Sequence, residues 1–133
     1  MIAEMIGILI EEIKIEFELN ETIVYIGPQN IEHIRNKHPE DYEIYFKSIS
    51  EIISSPDYYG RNLKDGSIEL IKEFEISEKK YVKVAVKVSK RGKLFAKTLY
   101  VLTNSERFEY QLSEGYYKII LILFHLMSLY LIW

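Results

Sequence analysis

The sequence predicts an α+β domain in which N-terminal helices pack on one face of a small antiparallel β-meander. Apolar residues recur at helical spacing before residue 55, the period changes to two after the turn-rich "NLKDGS", and three alternating segments then follow with only short polar turns between them. With 133 residues, 48% hydrophobic and 28% charged, the chain has the composition of one folded domain and not of a disordered one. We expect the domain over 1–118 and an apolar tail over 119–133.

Met5, Ile8, Leu9 and Ile13 predict a short first helix, although the alternation Ile13, Ile15, Phe17 also allows an extended segment before Asn20. "TIVYIG" predicts a brief strand. Pro28 after Gly27 suits the first turn of a helix that Pro39 ends, with Ile31, Ile34 and His38 on one stripe. Ile44, Tyr45, Ile49, Ile52 and Ile53 predict a second helix over 41–54, closed before Pro56. "SIELIKEFEI", "YVKVAVKVS" and "KLFAKTLYVL" are the strands of the meander.

A turn at Arg91 and Gly92 sets Val88 against Phe95, Val84 against Leu99 and Val82 against Val101, all on one face. In that register Lys97 opposes Val86 as an exception, and Leu94 falls on the other side. The opposite face then carries Lys83 beside Tyr100, Ala85 beside Thr98, and Lys87 a diagonal step away. A slip by one residue would bury the lysines, so the pattern selects its own register.

Charge narrows the chemistry. The net charge of -3 argues against a protein that coats nucleic acid by bulk electrostatics, yet Lys79 to Thr98 contains eight basic residues and no acidic one. Such a block suits phosphate contacts, where neutralisation releases counterions, but taken alone it favours a solvated lysine-rich hairpin that resists edge aggregation. Cleavage of RNA without a metal needs a base for the 2′-hydroxyl, an acid for the departing 5′-oxygen, and donors for the charged phosphorane. Lys83 and Lys87 suit that charge, Thr98 and Tyr100 suit hydrogen-bond donation, and a histidine suits the proton transfer. Between the two histidines of "IEHIRNKHPED", His33 lies off the buried stripe with Lys37 one turn later, whereas His38 reads as a C-terminal helix cap.

"IVYIGPQNIEHIRNKHPEDYEIYFKSISEIISSPDYYG", with "IELIKEF", "YVKVAVKV" and "LFAKTLYVLT" after it, resembles the phage-associated branch of the BECR nucleases (barnase, EndoU, colicin, RelE) over about residues 22–110. The resemblance implies a barnase-like, metal-independent ribonuclease fold of toxins and mobile elements, with active residues on the exposed sheet face and a histidine from the helical part. It matches His33 and His38 to the "HI" and "KHP" segment, Lys83 or Lys87 to the strand lysine, and Thr98 with Tyr100 to the last strand. The candidate catalytic residues are thus His33, His38, Lys83, Lys87, Thr98 and Tyr100. Candidate phosphate contacts are Lys37, Arg61 just after "DYYG", Lys90 and Arg91.

No phosphate loop, zinc motif or calcium loop occurs in the sequence, so no metal and no cofactor is expected. RNA is the expected partner, with a neutralising immunity or antitoxin protein if the chain is a toxin or phage effector. The rival reading is a noncatalytic module that binds nucleic acid or protein on the same fold. The tail "IILILFHLMSLYLIW" is uncharged, and as a helix it would be ~22 Å long against a hydrocarbon core of ~30 Å, so a membrane anchor is not favoured. A closing element against the sheet, or a contact between copies of the chain, reads better, with His125 a core histidine. Absent cysteine leaves the compartment open, while Glu4 near the start, soon followed by Glu11, Glu12 and Lys14, makes a cytoplasmic protein the simpler expectation.

Overall fold

The structure, a computed structural model, describes residues 2–120. In chain order it contains β1 (Glu4–Ile8), α1 (Glu11–Glu16), β2 (Ile23–Ile26), α2 (Pro28–Lys37), α3 (Pro39–Tyr45), a 3-10 turn (Phe46–Ser48), α4 (Ile49–Ser54), β3 (Tyr58–Arg61), β4 (Ile68–Glu75), β5 (Lys79–Val88), β6 (Leu94–Val101), α5 (Ser105–Ser113) and β7 (Tyr117–Ile119). One sheet of seven strands runs in the order β1-β2-β6-β5-β4-β3-β7. All pairs are antiparallel except β2 with β6.

The α+β class holds, and β4, β5 and β6 form the expected meander at the centre of the sheet. The arrangement around it differs from expectation. The chain begins with a strand, the sheet is larger and mixed, and most helices lie mid-chain. The helical stripe expected near the N-terminus splits: Met5 and Ile8 are exposed on β1, while Leu9 and Ile13 enter the core. Gly7 lies where the register of β1 against β2 shifts. A methyl group there would sit 2.9 Å from Cγ2 of Ile53, so only glycine lets α4 lie so close to β1.

The helix that begins at Pro28 ends before Pro39 as expected, with Asn30 Oδ1 accepting the Gly27 N–H at 3.0 Å at its start. The helix expected over 41–54 is instead α3 and α4 joined by the 3-10 turn, but Tyr45, Ile49, Ile52 and Ile53 keep one buried stripe. The short α4 packs against β1, β4 and β5 together. In a flat sheet β1 and β4 would be ~19 Å apart, twice the length of such a helix. The sheet is therefore rolled around the helices. Among the described residues no helix is long and apolar enough to cross a membrane.

Register in β5 and β6 agrees with expectation at Val82, Val84 and Ala85, opposite Val101, Leu99 and Thr98. Beyond that rung the ladder shifts, so that Val86 faces Ala96 and Val88 faces Leu94. Lys97 is the extra residue, and the bulge turns Leu94 and Ala96 into the core, both fully buried. This removes the two exceptions of the simple register. The turn is also one residue wider than a two-residue loop: Ser89 N–H donates to Lys93 O at 2.8 Å, and Gly92 takes the positive φ of 83° that the geometry requires.

Tyr59 shows how the core reaches β3. Its hydroxyl donates to Glu16 Oε1 at 2.9 Å, and burial together with that bond pushes its pKa up to about 12. An unfolded tyrosine ionises near 10, so this contribution to stability is whole below pH 10 and is lost as pH rises towards 12. We expect Tyr59 to account for about 2–3 kcal/mol of the stability lost on alkaline titration over that window, and the slope to be shallower by that amount in Tyr59→Phe. Equilibrium urea unfolding at several pH values checks it.

The opposite sheet face is not fully open. Phe108 of α5 is buried there with Ile71 and Tyr81, against Tyr58 and Tyr117, and covers one end of the face. Ile119 ends β7 opposite Tyr58, and Ile120 N–H donates to Asp57 O at 2.9 Å. The expectations for the rest of the tail, including His125, concern 121–133, outside the described residues.

Candidate active site

Alternation in β4 and β5 brings the central charges together. Val82, Val84, Ile68 and Leu70 face the helices, so Lys83 and Glu69 face away from them, diagonal to each other on rungs two apart. Lys83 Nζ donates to Glu69 Oε2 at 2.8 Å, and the two side chains are only 11% and 8% exposed. Across the sheet Tyr117 of β7 donates its hydroxyl to Glu69 Oε1 at 2.7 Å. On the other side the Lys83 ammonium lies 5.1 Å from the centre of the Tyr100 ring, and His38 stacks on that ring at 5.0 Å and 25°. Tyr117, Glu69, Lys83, Tyr100 and His38 form one continuous series.

Burial is the largest single influence on Lys83 and opposes its charge, but the hydrogen bonds to Glu69 and Tyr100 and the Glu69 carboxylate outweigh it. The net effect raises its pKa, so the ammonium persists through and above the ordinary lysine range. Burial and the Glu69 carboxylate push the Tyr117 phenol above its usual value, which keeps it a donor.

These residues line a cleft of about 700 Å³. Its walls come from His38 and Asp41 at the junction of α2 and α3, from Arg61 at the end of β3 through Lys64, and from Asn104, Arg107 and Gln111 at α5. Asp41 is anchored by the Val101 N–H, which it accepts at 3.0 Å. Asn104 caps α5 by accepting the Arg107 N–H at 2.9 Å. Arg61 rests over the Phe17 ring, 5.0 Å from its centre. Lys64, Lys83 and Arg107 outnumber the carboxylates of Asp41 and Glu69, so the cleft favours an anionic ligand.

His38, Lys83 and Tyr100 of the sequence candidates therefore meet in one place, whereas Arg61 borders the cleft but carries its guanidinium over Phe17 on the helix-side face. His33 and Lys37 are exposed on α2 and do not line the cleft. Lys87, Lys90 and Arg91 lie farther along the hairpin, exposed. Thr98 is also outside the lining, and its Oγ1 is buried with no hydrogen-bond partner among the described residues. Sequence reasoning placed His38 on a helical stripe as a cap; it is indeed the C-cap of that helix, just after Lys37, but its φ of -136° and ψ of 62° take it off the helical wheel and onto Tyr100.

Glu69, Arg107 and Tyr117 were missed. Alternation in "SIELIKEF" carried the signal for Glu69, since Ile68 and Leu70 facing inward leave it on the Lys83 face. Tyr117 had no comparable signal, because it reaches Glu69 only by crossing β3 over Gly60. A Cβ on Gly60 would stand 2.7 Å from Tyr116 O and 2.8 Å from Tyr117 Cδ1. Gly60→Ala is expected to displace β7, break the bond to Glu69 and cost about 1–3 kcal/mol of stability. Thermal unfolding measures the cost, and ultraviolet titration should show one tyrosine returning towards its ordinary ionisation range.

Residues 4–109 match PBECR3, the phage-Barnase-EndoU-ColicinE5/D-RelE like nuclease3 family. The chain belongs to this family of nucleases. No curated protein and no solved structure matches it. The matched span takes in β1 as well as His38, Glu69, Lys83, Tyr100 and Arg107, whereas β7 and Tyr117 lie beyond its end.

Proposed function

We propose that this PBECR3 chain is a metal-independent endoribonuclease that cleaves RNA by attack of the 2′-hydroxyl on the adjacent phosphorus. The observation that carries the reading is the buried Lys83–Glu69 pair flanked by Tyr100 and His38 in a cationic cleft. A phosphate seated there meets Lys83 and Arg107, whose charge offsets that of the developing phosphorane. Each Glu69 oxygen accepts one hydrogen bond within the series and keeps a second lone pair, so the carboxylate takes the 2′-hydroxyl proton. His38 gives a proton to the departing 5′-oxygen; imidazole suits that role because its ordinary titration lies near neutrality. A 2′,3′-cyclic phosphate and a 5′-hydroxyl result.

Purified protein in EDTA should convert RNA to fragments with 2′,3′-cyclic ends, while an otherwise identical strand with 2′-deoxy residues stays intact. Equal cutting of the deoxy strand, or activity that appears only with added divalent metal, would sink the proposal.

A further inference from the structure

Beyond the cleft, the same sheet face carries an aromatic and basic patch that the proposed chemistry does not use. Tyr25 of β2 and Phe95 of β6 are register partners, with ring centres 6.3 Å apart and planes inclined at 45°. Val24, Ile26, Leu94 and Ala96 are buried in the helix-side core, so the two rings stand on the opposite face, and both are partly exposed. Lys87 faces Phe95 across the ladder, and the Lys93 ammonium lies 4.3 Å from the centre of the Tyr25 ring. Met5, opposite Tyr25 on β1 and 59% exposed, extends the row.

We infer that this patch binds the single-stranded part of an RNA whose scissile phosphate lies in the cleft: Tyr25 and Phe95 stack bases, and Lys87 and Lys93 contact phosphates. The inference rests on the nuclease reading for its substrate and deepens it by naming the strandedness of that substrate. Lysines that guard a sheet edge belong on edge strands, but β5 and β6 lie at the centre of this sheet, so edge protection does not explain Lys87 and Lys93. The bulge at Lys97 creates the patch by turning Phe95 outward beside Tyr25.

Charge complementarity favours an RNA over a protein as occupant, because Lys79 to Thr98 contributes no carboxylate of its own. Rings facing out of a sheet accept unstacked bases, which a duplex does not offer. Lys87 and Lys83 are separated by ~13 Å along β5, a span that a few extended nucleotides cover. Between patch and cleft lies the ion pair of Lys97 and Asp65, at 2.9 Å and with both side chains more than two-fifths exposed. Such an exposed pair is weakly held, so a passing phosphate can replace Asp65 as the partner of Lys97.

The test uses the full chain and a fluorescein-labelled 12-nucleotide RNA with 2′-O-methyl groups throughout, which cannot be cut by 2′-hydroxyl attack. By fluorescence anisotropy, Tyr25→Ala and Phe95→Ala should each weaken binding about tenfold. Tyr25→Phe should restore it, and Lys93→Ala should lower the salt dependence by about one counterion. Circular dichroism melting confirms that each variant is folded. Affinity unchanged in both alanine variants, or no binding by the wild-type chain, overturns the inference. So does self-association in sedimentation that Tyr25→Ala abolishes while RNA binding persists, because the patch would then hold a second copy of the chain. Because the probe cannot be cut, loss of binding in the variants beside an absence of cyclic-phosphate products would refute the nuclease reading and leave the patch standing.

Discussion

Lys83→Met should lower stability by about 3–5 kcal/mol and abolish cleavage of RNA by at least about 100-fold. The first effect follows from burial: without the ammonium, the Glu69 carboxylate is left with the Tyr117 hydroxyl alone in a site where it is 8% exposed. Neutralising Glu69 as well removes that cost, so Glu69→Gln with Lys83→Met should regain most of the lost stability. Activity should not return, because both the positive charge and the proton acceptor have gone. The double variant thus separates two roles that either single variant confounds. Chemical denaturation of the four proteins, with initial rates on one RNA, measures both. A double variant that recovers stability and activity together would show that the pair only maintains the fold. At alkaline pH the wild-type pair should persist past the ordinary lysine range, since the partners of Lys83 raise its pKa despite burial. Its stabilisation is fully present below the ordinary lysine pKa and is lost only as pH rises through the higher folded value.

The parts of this site written in the sequence are those set by local period. Val82, Val84 and Leu99 announce a strand pair with a single buried face, and from that alternation the shared outward face of Lys83 and Tyr100 follows. Pro28 and Pro39 likewise delimit α2 by steric rules that act on one or two residues. What escaped depends on contacts between distant segments. The parallel pairing of β2 with β6 has no turn signal, because the chain returns to β6 only after the helices and three more strands. The bulge at Lys97 is one residue of slip in a ladder whose two halves each alternate normally, so the pattern on either side looks regular. Gly60 was legible as a glycine but not as the floor beneath Tyr117, a role that exists only once β7 has joined β3. The position of His38 departs from expectation for a more local reason. A helical wheel was applied to His38, yet the residue before a proline is driven out of the helical region, and its side chain points elsewhere.

That geometry leads to the second large effect. His38→Ala should reduce the cleavage rate by about 10²–10⁴-fold, the usual contribution of a positioned acid or base, while His33→Ala should leave it near the wild-type value. His38 also stacks on Tyr100, so its removal will cost some stability, of the order of 0.5–1.5 kcal/mol for an aromatic contact. His38→Phe distinguishes the contributions, because it retains a ring on Tyr100 but has no proton to give. A folded His38→Phe protein with the rate of His38→Ala assigns the loss to proton transfer. If instead His33→Ala were inactive and His38→Ala fully active, the proton chemistry would belong to the solvent side of α2. Tyr100 and Lys83 would then hold RNA without sharing its cleavage.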